Sequence, residues 1–258
     1  METSNRYDVM VEALTELMPE ISAARQPVTP KISQVLADHA PLPRAALFLG
    51  VAGDGLPVLL NLLDPVPGPL LIAADTGSGK TRLLQGIARA ADQMHSPQDV
   101  QYGIITPHPE EWQDLPTSQN RVQVFPSYQT EAGVFLGSLA SWAHSNHGEK
   151  QSVLLFIDDL SMIAKMDYDV RQNLRWLLLR GPARRVWPIV TINSAQSEVV
   201  QPWLELFRTR CFGHIQDENY LRYLTNSTHS DLRSLRAGSE FAMLEDNDWL
   251  KFRVPAID

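Results

Sequence analysis

The sequence holds a single cysteine, Cys211, among 258 residues, so it has no internal disulfide framework, and a reducing compartment fits. It also has no long hydrophobic run. The longest, such as VLLFI at 153–157, fall far short of the roughly 20 residues that a membrane-crossing helix needs. The opening stretch, METSNRYDVMVEALTELMPE, is acidic and has no basic segment ahead of an apolar run, which excludes a secretory signal. Positive charge is in deficit: 22 Lys and Arg stand against 30 Asp and Glu, a formal net charge of −8. A whole-chain basic footprint for nucleic acid is therefore missing, and only local basic patches remain. The seven histidines form no H-x-x-x-H or H-E-x-x-H spacing and have no paired cysteine beside them, which argues against a zinc site. Acyl-transfer chemistry lacks its Gly-x-Ser-x-Gly elbow. The chain reads as soluble and cytoplasmic, with any membrane attachment supplied by a partner protein.

With 44% hydrophobic residues, the chain can bury one sizeable α/β core plus a small N-terminal appendage. The expected division is an N-terminal helical segment and linker at 1–44 and one domain at 45–258. Within 6–24, Met10, Leu14, Leu17, Met18 and Ile21 repeat at spacings of three and four, an amphipathic helix that Pro19 ends or kinks. QPVTPK at 26–31 is a linker by its prolines. From there the pattern changes. Apolar runs at 46–52 and 56–63 flank Gly53-Asp54-Gly55, a hairpin signal. The segment DPVPGP at 64–69 is a rigid turn that feeds the buried strand Leu70–Ala73.

Strands and helices then alternate. Helices are expected at 81–94, 131–144 and 167–181, and strands at 102–105, 121–125, 153–157 and 187–192. Alternation of this kind predicts an α/β fold with a mostly parallel sheet and helices on both faces. The runs 239–244 and 249–254, joined by EDND, end the chain in a β-hairpin, where a helical lid would be expected of an AAA+ protein.

The residues that carry chemistry follow the first buried strand. Ala74-Asp75-Thr76-Gly77-Ser78-Gly79-Lys80-Thr81 fits the G-x-x-x-x-G-K-[ST] phosphate loop except for Ala74 in place of the first glycine. Small residues let successive N–H groups curl around phosphate oxygens, and the helix N-terminus adds partial positive charge. Lys80 then reaches the β- and γ-phosphates and the Thr81 hydroxyl ligates Mg²⁺. Asp75, Thr76, Gly77, Ser78, Gly79, Lys80, Thr81 and Arg82 are the expected nucleotide-binding residues. A second buried strand, 153–157, ends in two acids. Asp158 is placed to hold Mg²⁺ with Thr81. Asp159 either polarises the attacking water or caps a helix beginning there.

These segments together resemble the FtsK/HerA superfamily of ring-forming motor ATPases. The resemblance runs over roughly 45–258: LGVAGDGLPVLLNLL through IAADTGSGKT, then ITPHPEEWQDL, FIDDLSMI, PIVTINSAQ, FRTRCFGHI and GSEFAML in that order. The sequence departs from the family pattern at Ala74, at Thr106 (where the family carries a charged segment) and at Asp159, where a glutamate is usual.

The resemblance implies a RecA-like P-loop core with a β-hairpin before the P-loop and another at the C-terminus, hydrolysing ATP with Mg²⁺. It implies a hexameric ring with ATP between subunits and a polar sensor at Asn193 or Ser194. It also implies an arginine reaching the neighbouring subunit's γ-phosphate, with Arg210 first choice, Arg208 second, and Arg184 and Arg185 behind them. The expected catalytic set is therefore Asp159, Lys80, Arg210 and Asn193. Double-stranded DNA is the first substrate class, with RGPARR at 180–185 as a local basic turn for a phosphate backbone or a subunit interface. A protein substrate, favoured by the negative charge, and a nucleotide-binding scaffold with little turnover are the alternatives. The chain reads as a minimal motor core whose targeting comes from a partner.

Overall fold

The computed structural model describes residues 29–146, 151–225, 231–245 and 248–258. The amphipathic helix expected at 6–24 lies outside the described residues. Contacts group Lys31–Asp258 as one compact unit. Helix α1 (Ile32–Asp38) therefore lies in the large unit, on the far side of the division expected at residue 44. It buries Ile32 and Val35 against Phe48 and Ala90, and Ile32 N–H donates to Ala256 O at 3.0 Å.

The centre is a ten-stranded sheet in the order β2-β1-β10-β9-β8-β3-β7-β6-β4-β5. The strands are β1 (Ala46–Ala52), β2 (Pro57–Asn61), β3 (Leu70–Ala74), β4 (Val100–Thr106), β5 (Arg121–Pro126), β6 (Ser152–Ile157), β7 (Val186–Asn193), β8 (Thr209–Phe212), β9 (Glu240–Glu245) and β10 (Asp248–Arg253). From β8 through β3, β7, β6 and β4 to β5 every pairing is parallel. The β1–β2 and β9–β10 hairpins add four antiparallel strands at the other side. The expected hairpins before the P-loop and at the C-terminus are both present.

Strands in the parallel half are covered on both faces, which is why they read as unbroken apolar runs. Every residue of β3 and β6 is buried. Along β3 the two faces alternate: Leu71 and Ala73 enter one core with Leu136, Leu139, Leu174 and Leu177, while Leu70 and Ile72 enter the other with Leu83, Leu84 and Ile87. Helix α2 (Lys80–Met94) thus covers one face, and α3 (Thr130–Ser145) with α5 (Tyr168–Arg180) the other. The short helix α4 (Leu160–Ile163) follows β6; α6 (Gln201–Leu204) precedes β8 and α7 (Glu218–Thr225) follows it. Among the described residues no helix is long and apolar enough to cross a membrane. The parallel arrangement brings the carboxyl ends of β3, β6 and β7 to one edge, where ligands bind in open α/β sheets.

Candidate nucleotide site

At that edge the chain leaves β3 at Ala74 and turns back into α2 through a loop with left-handed glycines, Gly77 at φ 76° and Gly79 at φ 87°. Gly79 is the residue before the helix and has no side chain to cap it, so the first-turn N–H groups remain directed at whatever sits above them. A cleft of about 810 Å³ opens over this turn. Thr76, Gly77, Gly79, Lys80, Thr81 and Arg82 line its floor, with Asp159 arriving from the end of β6 and Asn193 from the end of β7.

Inside the cleft, Lys80 Nζ donates to the carbonyl oxygens of Ala74 at 3.0 Å and Asp75 at 2.9 Å. Burial lowers the Lys80 pKa, and the carboxylates of Asp159, Asp158 and Asp75 pull it back up. Thr81 Oγ1 donates to Asp158 Oδ2 at 2.7 Å. The other Asp158 oxygen accepts from Thr191 Oγ1 at 2.5 Å. Asp158 is 9% exposed and Thr191 fully buried, so the carboxylate is held by two hydroxyls at fixed positions. Asp159 does what its N-cap reading predicts: Oδ1 accepts from Ser161 N–H at 2.9 Å and starts α4. It also lines the cleft. Burial raises its pKa above the usual carboxylate range, and the charge of Asp158 acts the same way; the Ser161 N–H and the Lys80 charge act in the opposite direction. Asn193 donates from Nδ2 to Thr76 Oγ1 at 2.5 Å and accepts from Ala195 N–H at 3.2 Å, which ties the end of β7 to the loop.

Three residues expected at the site face elsewhere. Ser78 is 1% exposed, and its hydroxyl donates to His214 O at 3.2 Å. The Asp75 carboxylate is taken up by Ser194 Oγ and Gln216 N–H. Both residues belong to the loop through their backbones alone. Arg210 is the third: its guanidinium donates to Phe207 O at 3.2 Å, Leu224 O at 3.0 Å and Leu204 O at 2.6 Å. Three carbonyls of its own chain take three of its five N–H donors and hold the guanidinium against the chain. The basic turn is similarly engaged, with Arg184 on Asn146 O and Arg185 on Leu62 O, each at 3.1 Å. Arg208 is exposed, and among the described residues its guanidinium meets Val66 O, at 3.5 Å.

The cleft also takes residues that sequence reasoning did not pick. Gln85 lies one turn beyond Arg82 on α2 and donates to Glu111 O at 2.7 Å; its spacing of three from Arg82 was a usable signal. His108, Glu111, Asp114 and Leu115 come from the segment after β4, and Ile257 from the far end of the chain. Thr191 showed only as a lone polar residue inside the apolar run of β7.

Gly79 has a second constraint. A Cβ on it would fall 2.7 Å from Gly238 Cα, whereas nothing lies within 4 Å of a Cβ on Gly77. Both substitutions carry the cost of a left-handed φ, about 1 kcal/mol. Gly79→Ala must also push the start of the C-terminal hairpin off the loop. It is expected to destabilise by about 2–3 kcal/mol, clearly more than Gly77→Ala. Denaturant melts of the two variants without nucleotide check this, and equal losses would mean that the Gly238 contact carries no energy.

No protein-family model and no curated protein sequence matches this chain. Solved structures do. The cytoplasmic domain of the type VII secretion ATPase EccC of Thermomonospora curvata aligns with a TM-score of 0.68 at 16% identity, over 89% of this chain and 28% of its own. The pCW3 conjugation coupling protein TcpA, solved as a monomer with ATPγS, aligns with a TM-score of 0.65 at 14% identity, over 86% and 68%. The genome-packaging NTPase B204 of Sulfolobus turreted icosahedral virus 2, solved with ATPγS, gives 0.51 at 14%, over 74% and 99%. The chain thus spans little more than a quarter of the EccC cytoplasmic domain. At these identities the likeness is one of architecture, and it agrees with the sheet order and the loop described above: the chain has the RecA-like α/β fold of P-loop ATPases.

Proposed function

We propose that the chain is a Mg²⁺-dependent ATPase of the FtsK/HerA type that works as a ring and moves double-stranded DNA. One observation carries the ATPase part of this reading. Thr81 and Asp158, 77 residues apart, meet at 2.7 Å beneath the glycine loop. A hydroxyl and a carboxylate are hard oxygen ligands, the donor set that suits Mg²⁺ when phosphates and water complete the shell. That fits a chain with no cluster of three or more His, Cys, Asp or Glu for a metal among the described residues. Bound there, Mg²⁺ supplies neutralisation of charge on the β- and γ-phosphates. Lys80 exchanges its two carbonyl partners for phosphate oxygens. Asp159 orients water at the cleft wall, and Asn193 senses the phosphate end from β7. Arg208, exposed and weakly held, takes the part of the arginine that reaches a neighbouring subunit.

The substrate reading rests on the resemblance and on the neighbours: a conjugation coupling protein and a genome-packaging NTPase. The net charge of −8 favours a second reading, a protein-moving ATPase. ATPases 2 and 3 of EccC were solved in complex with a signal sequence peptide. A scaffold with little turnover is the third, motivated by Thr106, which is fully buried, and by the capping duty of Asp159.

Steady-state ATP hydrolysis at several protein concentrations, with and without linear duplex DNA, separates the three. An assembling DNA motor turns over faster with concentration and with DNA, and Lys80→Ala abolishes the activity. Turnover indifferent to DNA moves the assignment to the protein substrate. ATP bound with no turnover under any condition leaves the scaffold.

A further inference from the structure

An acidic side chain in an anion-binding loop needs a physical reason, because a carboxylate facing the phosphates would repel them. In this structure Asp75 faces away, and every polar group it has is engaged. Its N–H donates to His214 O at 3.0 Å. Its carbonyl accepts from Lys80 Nζ at 2.9 Å and from Ser78 N–H at 3.2 Å. Its Oδ1 accepts from Ser194 Oγ, and Oδ2 from Gln216 N–H at 2.8 Å.

The partners are not scattered. β3, which carries the loop, lies between β7 and β8. Ser194 directly follows β7, and Gln216 lies in the segment after β8. One carboxylate therefore joins the carboxyl ends of both neighbours to the base of the phosphate loop. The adjacent pair repeats the link: Asn193 grips Thr76 beside the Ser194–Asp75 bond. On the β8 side the backbones come close, and a Cβ on Gly213 would lie 2.9 Å from that of Ala74. The segment held by Asp75 leads directly into α7, whose last turn is held by Arg210 through Leu224 O.

We propose that Asp75 is a positioning residue. It sets the shape of the phosphate loop, and the register of Asn193 over it, by clamping β7 and β8 to the loop, and it does not touch the nucleotide. This rests on the ATPase reading for its consequence but not for its geometry, and the two are tested apart.

Asp75→Ala removes both acceptors. Asp75→Asn keeps the shape, because its amide oxygen accepts from Gln216 N–H and its amide nitrogen donates to the Ser194 hydroxyl, which accepts as readily as it donates. The first arm reads amide hydrogen exchange without nucleotide. Asp75→Ala speeds exchange in 75–81 and 213–217 and leaves α3 unchanged, and Asp75→Asn restores protection. The second arm reads ATP kinetics. The KM of Asp75→Ala rises about tenfold, as loss of hydrogen bonds to a charged group implies, and that of Asp75→Asn returns to within about twofold of wild type. Should Asp75→Ala fail to fold, Ser194→Ala removes one donor only and shifts both readouts in the same direction by less.

Unchanged exchange and unchanged KM in the alanine variant would overturn the proposal. An asparagine variant as impaired as the alanine variant would also overturn it, because the charge and not the clamp would then matter. Wild type that neither binds nor hydrolyses ATP would sink the ATPase reading, while the exchange arm would still decide the clamp.

Discussion

Asp158→Asn is expected to cut ATP turnover by on the order of a hundredfold or more while the protein keeps its fold. The two expectations come from separate features of the same carboxylate. Its oxygens accept from Thr81 and Thr191, and both donors are hydroxyls. A hydroxyl can reverse its role, so an amide in the same place keeps both contacts, one as acceptor and one as donor. The buried polar cluster stays satisfied and the melting temperature moves by no more than about 2 °C, as for a change below about 0.5 kcal/mol. The amide has no charge, however, and is a weaker ligand than a carboxylate for a divalent cation. The Mg²⁺ concentration needed for half-maximal turnover therefore rises along with the loss of rate. Wild-type turnover in this variant would remove Asp158 from the metal site and leave it as a packing residue. Asp158→Ala is a poorer test, because it strands both threonine hydroxyls at the base of the cleft.

Arg210→Ala and Arg208→Ala are expected to separate stability from turnover, although the two arginines sit two residues apart at the start of β8. Losing the Arg210 guanidinium leaves the carbonyls of Leu204, Phe207 and Leu224 without this donor. It also detaches the end of α7 from the strand. The site is only half buried, and burial already lowers the Arg210 pKa. Water therefore recovers part of the loss, and a net cost of about 3 kcal/mol is expected, a fall of about 6–12 °C in a melting curve for a domain of this size. Arg208 is exposed and, among the described residues, has one hydrogen bond at the limit of length, so Arg208→Ala melts within about 1–2 °C of wild type. If it acts across a ring interface, its loss lowers turnover in the assembled protein on the order of 10³-fold while ATP binding persists. Calorimetry and turnover at high protein concentration decide between them. A stable Arg210→Ala protein without turnover would return the trans role to Arg210.

The different surroundings of these two arginines show where reading along the chain stops working. The phosphate loop was legible because it is made of neighbours in sequence: backbone amides over a few residues, two glycines with left-handed φ, a lysine and a threonine at the start of a helix. The buried strands were legible because two covered faces leave no room for polar residues, so β3, β6 and β7 announce themselves as apolar runs. The meeting of Asp158 with Thr81 followed from its place at the end of such a run. Both hairpins followed from short turns between apolar segments.

What stayed hidden depends on partners distant in sequence. Thr191 became part of the site only when β6 and β7 paired and set its hydroxyl on Asp158. Gly79 acquired its second constraint only when the C-terminal hairpin brought Gly238 against it. Asp75 looked like a nucleotide ligand by position, and its true partners come from the ends of the two strands that flank β3. Arg210 lies on the strand that the resemblance marks; its guanidinium donates to carbonyls of residues 204, 207 and 224, and no pattern in residue type marks a carbonyl as an acceptor in need. Motifs built from backbone geometry are local and can be read from residue order. The direction in which a long polar side chain points is settled by which unsatisfied groups the folded sheet brings within about 3 Å of it, and only the tertiary structure supplies those.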